Sequence, residues 1–210
     1  MFFFLLTGCI GALDLSRATP LAPGELAIQA GGGVVLPIPA EGGDLTPYFG
    51  GAASVHGGVV RGLELGGEVG LVSVGSGLDG PLEYGGIHAK IGLVNPDQGA
   101  VHVSLDPHLR AFGGASSGSG GASVDLPVLI GLDVGRSQLV LAPRVGLYLQ
   151  REEPWVTAGL AAAWSVPMGD RLELLPGVSA NLLVDPASRA VLAPQNVFPG
   201  ASLGVRVRLD

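Results

Sequence analysis

All four histidines of this 210-residue chain, His56, His88, His102 and His108, share one parity of an alternating pattern with Ser54, Ser104, Glu64, Glu68, Asp106 and Arg110. Serine, histidine and a carboxylate on one surface are the parts of an acyl-transfer site, where a base draws off the hydroxyl proton and an acid orients the base. The context such a site needs is missing. No G-x-S-x-G turn sits between a strand and a helix, and a serine that cuts lipid has to face the membrane or the rim. We therefore expect no enzyme, and a membrane-barrel lipid hydrolase stands as an alternative. His88 and His102 with a carboxylate could hold a metal across a hairpin, where facing Cβ atoms come within about 5 Å. Two histidines so placed are a common coincidence, and no metal or other cofactor is expected. The run GGASSGSGG at Gly113–Gly121 lacks the Lys-Ser/Thr ending of a phosphate loop and reads as a surface loop.

The elements that position these groups are strands. Glycine occurs 36 times, 47% of residues are hydrophobic and only 14% are charged, a balance foreign to a soluble globular surface. Lys90 is the only lysine, so the lysine-rich faces that protect the strand edges of soluble β-proteins are absent. A net charge of −7 argues against a nucleic-acid partner, whose phosphates need clustered Lys and Arg.

From Glu25 almost to the end the chain alternates with period two. In 100–112, Val101, Val103, Leu105, Leu109 and Ala111 oppose His102, Ser104, Asp106, His108 and Arg110. Leucines and valines of 63–73 oppose Glu64 and Glu68, the isoleucines of 87–93 oppose His88 and Lys90, and the last strand sets Leu203, Val205, Val207 and Leu209 against Arg206 and Arg208. Division at Gly, Pro and Asp clusters predicts ten strands, with eight as the alternative: 25–36, 46–60, 63–75, 84–94, 100–112, 122–134, 138–150, 155–167, 171–184 and 196–209. Most suffice to cross a bilayer, which takes about 9 to 11 tilted residues. Connections alternate between tight turns and longer loops, with 151–154 as a short exception, as in outer-membrane barrels. That rhythm puts both chain ends on the periplasmic side.

Tyr48, Phe49, Tyr84, Phe112, Tyr148, Trp155 and Phe198 fall at the strand ends assigned to the outside, like half of an aromatic belt. Strict alternation points most of these rings inward, with Phe49 and Trp164 toward lipid. We expect rim bulges to turn the inward ones out, the alternative being that they line the mouth. Bulges, or positions outside the hydrocarbon, are also expected at Pro107, Pro127, Pro143 and Pro176, each of which removes a ladder bond.

The stretch Thr46-Pro47-Tyr48-Phe49-Gly50-Gly51-Ala52-Ala53 resembles strand openings of small bacterial outer-membrane β-barrel families, and 200–209, GASLGVRVRL, is similar to their closing strands. Those closing strands usually end in an aromatic residue, where this one has Leu209-Asp210. The resemblance implies insertion by the barrel assembly machinery and outer-membrane lipid as partner. At the other end, Leu6-Thr7-Gly8-Cys9 resembles the lipobox of bacterial lipoproteins, which implies a lipid on Cys9, the only cysteine. Ordinary cleavage after Ala18, with Ser16 and Ala18 as the small residues, is the competing reading. The chain thus divides into an export signal over 1–18, a linker over 19–24 and a barrel over 25–210.

These readings converge on an all-β, closed, antiparallel up-and-down transmembrane barrel in the bacterial outer membrane. The expected role is structural, surface-exposed or a narrow passive channel, with no ligand assigned. An exported soluble lipocalin-like barrel holding an apolar ligand is the runner-up. Ten strands about 4.8 Å apart and tilted about 40° give a backbone diameter near 20 Å. Side chains fill most of that width. We expect Glu64, Glu68, His88, Lys90, His102, Asp106, Arg110, Arg144, Arg206 and Arg208 to form a charge network that blocks the lumen.

Overall fold

The computed structural model describes residues 16–36, 47–74, 81–94, 99–114, 120–150, 154–184 and 197–209. Eleven strand segments run in chain order: β1 Leu26–Val35, β2 Tyr48–Val60, β3 Leu63–Val74, β4 Leu82–Gly92, β5 Val101–Leu105, β6 His108–Gly113, β7 Gly120–Val134, β8 Ser137–Gln150, β9 Pro154–Pro167, β10 Leu172–Val184 and β11 Val197–Leu209. Both β5 and β6 pair with β4 on one side and β7 on the other. They are two halves of one stave interrupted at Asp106-Pro107, so the barrel has ten staves, the larger of the two expected numbers. Sequential antiparallel pairing and the β1 to β11 seam close it. Each predicted strand boundary falls within two residues of the observed one.

The staves are steeply staggered. Following paired residues from Gln29, the row passes through Ser54, Glu68, Gly86, Arg110, Ser123 and Tyr148 to Trp155. It starts close to the end of β1 that bears the tight turns and finishes at the opposite rim, the stagger a closed barrel of tilted strands requires. Gly62 and Gly135 adopt φ of 81° and 65° in two of those turns, the left-handed region in which the absence of Cβ removes the steric cost.

The apolar parity faces out. Ile87 is 63% exposed and Val69 62%, and the exposed apolar set continues around the wall through Leu109, Ile130, Val145, Leu160 and Leu203. The ionisable parity is buried. A soluble barrel binding an apolar ligand needs the reverse, so that alternative fails on face assignment.

Two expectations about bulges are corrected. The register keeps its offset across Pro107, Pro127, Pro143 and Pro176, although pairing lapses between Pro127 and Ile130 and between Leu174 and Gly177, and the register shift among the described residues lies between Gly58 and Val60, beside the first tight turn. A proline withdraws one donor but keeps its carbonyl, and its fixed φ lies within the β region, so the ladder loses a bond without needing an extra residue. The N–H of Ala89 donates to the Pro107 carbonyl at 3.2 Å and that of Asp106 to the Pro127 carbonyl at 3.1 Å.

The rim aromatics are not turned outward either. Tyr84, Phe112, Tyr148 and Phe198 are buried with Val35, Val72 and Leu183, and Tyr48 and Trp155 pack against them. They fill the mouth at the long-loop end, because burying inward rings against one another makes an apolar layer without disturbing the ladder. Phe49 and Trp164 point outward, 52% and 50% exposed. The opposite end of the lumen holds the segment from Ser16 to Pro23, in which Ser16, Ala18 and Leu21 are buried. Composition reads Thr19–Gly24 as a linker; within it Leu21 is buried, Thr19 and Pro20 are half-buried, and Ala22 to Gly24 are exposed. Cys9 and the rest of the lipobox, like most of the longer connections, lie outside the described residues.

Candidate functional site

Between the aromatic layer and the N-terminal segment, staves β2 to β8, joined by Arg206 of β11, send ionisable side chains into the lumen. Their meeting follows from the stagger. His56, Gly66, His88, His108, Asp125 and Gly146 form one paired row, and Glu64 and Lys90 are directly paired on the row beside it. Gly66 stands between two histidines, and a Cβ there would collide with the His88 ring. Its missing side chain is the seat of that ring.

The contacts are short and buried. Arg110 donates from Nε to Glu68 Oε1 at 2.7 Å and from Nη2 to Oε2 at 3.2 Å, the two-pronged geometry a planar guanidinium makes with a carboxylate. Its Nη1 lies 3.6 Å from Asp125 Oδ2, and Asp125 also pairs with Arg144. Lys90 donates to Glu64 Oε1 at 3.0 Å and lies 4.0 Å from Asp106. Arg206 Nη2 is 3.6 Å from Glu64 Oε2. Four carboxylates (Glu64, Glu68, Asp106, Asp125) thus face four cations (Lys90, Arg110, Arg144, Arg206). Charges this deep are tolerable when each has an opposite partner close by.

The histidines bridge between these pairs. His88 Nδ1 is 2.9 Å from Asp106 Oδ1, and His108 Nδ1 is 3.0 Å from Glu68 Oε1. His56 Nδ1 is 2.9 Å from Glu64 Oε1, while its Nε2 is 2.7 Å from Ser54 Oγ. Ser54, His56 and Glu64 therefore form a linear hydroxyl, imidazole, carboxylate relay on two adjacent strands.

His102 and Arg208 belong to a different group. His102 Nε2 is 2.7 Å from Asp133 Oδ2, and Arg208 donates to Glu173 Oε1 at 2.8 Å. Both pairs sit at the tight-turn end around Arg17. His88 and His102 are not brought together, because the stagger pairs His88 with His108 instead. His88, Asp106 and His108 have possible ligand atoms within 4.8 Å of one another. The two rings, however, stack with centroids 4.8 Å apart and 9° between planes, so their in-plane lone pairs run parallel rather than converging on one ion. Lys90 and Arg110 already supply positive charge there. His56 and His108, set on the inward parity with the other histidines, join the network; Asp125 joins it as well, and its place on the same parity is the signal that includes it.

No protein-family model and no curated protein matches this sequence. Solved structures do match in shape. The β domain of the Bordetella autotransporter Brka aligns over 90% of this chain and 100% of its own, at 11% identity and TM-score 0.50. The fold is that of a transmembrane β-barrel. The translocator domain of the autotransporter NalP from Neisseria meningitidis aligns over 94% of this chain and 91% of its own, with 13% identity and TM-score 0.47. The outer-membrane protease OmpT from Escherichia coli aligns over 92% and 100%, with 7% identity and TM-score 0.47. At such identities the likeness concerns the fold alone.

Proposed function

We propose that the protein is a non-enzymatic component of the bacterial outer membrane, a structural or surface-presenting barrel that passes solutes narrowly if at all. The observation that carries this reading is the mid-lumen cluster of four buried carboxylates and four buried cations, in which Glu64, Lys90, Arg110 and Arg206 are at most 1% exposed. Side chains that cross the bore as paired charges occupy it, and freeing one would strand its partner. The outward face then meets lipid, the barrel assembly machinery inserts the chain, and the long-loop end faces the exterior. A lipid on Cys9 would add a periplasmic anchor. Carbonate-washed membranes should retain the protein, and it should migrate faster unboiled than boiled in detergent gels. A protein that is soluble and monomeric without detergent would overturn the reading. For the anchor, labelled fatty acid should enter the unmodified protein and be lost in Cys9→Ser; an unlabelled unmodified protein would rule the anchor out.

The Ser54, His56 and Glu64 relay favours a second reading, a lumenal hydrolase. Its spacing suits transfer of the serine proton to His56 Nε2 while Glu64 orients the ring. It ranks second because Glu64 is also engaged by Lys90 and by the Leu21 N–H, and because the relay faces a crowded lumen rather than lipid. A fluorophosphonate probe decides between the two. Labelling of the folded protein that disappears in Ser54→Ala would make it an enzyme, and absence of labelling would leave the relay a structural hydrogen-bond chain.

A further inference from the structure

We infer that Ser16–Pro23 is a permanent part of the mature barrel, a plug made from the chain's own N-terminal segment, and that export processing removes only residues upstream of Ser16. The segment is bound as a built element. The Ala18 N–H donates to Gln138 Oε1 at 2.7 Å, and the Leu21 N–H donates to Glu64 Oε2 at 2.9 Å. Lys90 Nζ donates to Ser16 Oγ at 2.5 Å, and Gln138 Nε2 donates to Thr19 Oγ1 at 3.1 Å. Arg17 Nη1 donates to Glu173 Oε1 at 3.3 Å, and its Nη2 lies 3.9 Å from Asp133.

The wall is shaped to receive it. A Cβ on Gly131 would come within 2.7 Å of the Ala18 Cβ, and one on Gly58 would overlap the Ala22 carbonyl. Ala18 packs into an apolar patch with Leu129, Val140, Ala142, Ala161 and Ala163. Past the plug, Gly24 N–H donates to the Gly58 carbonyl and Gly58 N–H to the Glu25 carbonyl, both at 2.9 Å, so the segment runs into β1 already tied to β2.

Cleavage after Ala18 would remove every contact made by Ser16, Arg17 and Ala18 in one step. Lys90 and Gln138, both 0% exposed, would each lose a partner, the apolar patch would open, and Glu173 and Asp133 would lose the Arg17 guanidinium. Leaving buried polar groups unpaired is costly.

The test uses full-length precursor expressed in a Gram-negative host, with the barrel purified from outer membranes. Mass spectrometry of the intact mature chain should place its N-terminus at or upstream of Ser16. Trypsin should leave the Arg17-Ala18 bond intact in the folded barrel and cut it in the boiled protein. Gly131→Leu, which puts a side chain where Ala18 sits, and Gln138→Leu, which removes two of the plug's hydrogen bonds, should each speed that cut at least tenfold while the folded gel band persists. A mature chain beginning at Thr19 would overturn the inference. So would cleavage at Arg17 in the folded unmodified protein as fast as in the boiled one. Both of these readings are made on the unmodified protein and decide the matter even if a variant does not fold.

Discussion

Glu68 meets Arg110 through two hydrogen bonds and also touches His108, so at residue scale its loss strands a buried guanidinium. Removing one member of a buried ion pair leaves the other uncompensated, and Glu68→Ala should cost about 3 to 5 kcal/mol. Urea unfolding in detergent micelles or lipid vesicles would measure it, with a smaller loss expected for the double variant Glu68→Ala, Arg110→Ala than the sum of the two single losses. Additive losses would mean that the pair does not act as a unit. Alternation alone already sets Glu68, Arg110 and their neighbours on one parity. The partners are invisible to alternation, because partnership depends on how far each stave is staggered against the next. That is why His88 and His102, on adjacent staves in the chain, end up in different groups, and why Asp125 meets Arg144 across a hairpin whose register only the folded barrel sets.

The strands themselves are legible because their signal is local: a period of two, bounded by glycine, proline and aspartate. Their faces should be testable one side chain at a time. Ile87→Arg, on the outward face near mid-stave, should cost about 2 to 4 kcal/mol, and Leu209→Arg, outward at the rim, about 1 kcal/mol or less. Similar costs at the two depths, measured by unfolding in lipid vesicles, would mean that the outward face does not lie in hydrocarbon. The two tryptophans give an independent reading. With Trp155→Phe leaving Trp164, brominated lipids should quench fluorescence strongly; with Trp164→Phe leaving Trp155 in the mouth, only weakly. Equal quenching would contradict the inward placement of the rim aromatics. That placement follows from strict alternation, and no bulge is needed because the inward rings form an apolar layer by packing on each other. The segment Ser16–Pro23 was illegible for a different reason. Prolines and small residues look like the end of an export signal and a linker, and its binding partners, Gln138 and Glu173 among them, lie as far as 156 residues away.

Across the whole molecule the lumen has three layers: aromatic and aliphatic side chains at the long-loop end, paired charges in the middle, and the chain's own N-terminal segment at the tight-turn end. Each layer fills a bore that ten staves make only about 20 Å wide between backbones. The lumen therefore fills itself, and single-channel recording of the purified protein in planar bilayers reads whether any bore is left. The unmodified protein should give no openings or rare small ones, while Arg110→Ala and Arg144→Ala, which shorten side chains across the middle layer, should raise conductance. Steady, large conductance from the unmodified protein would contradict the account.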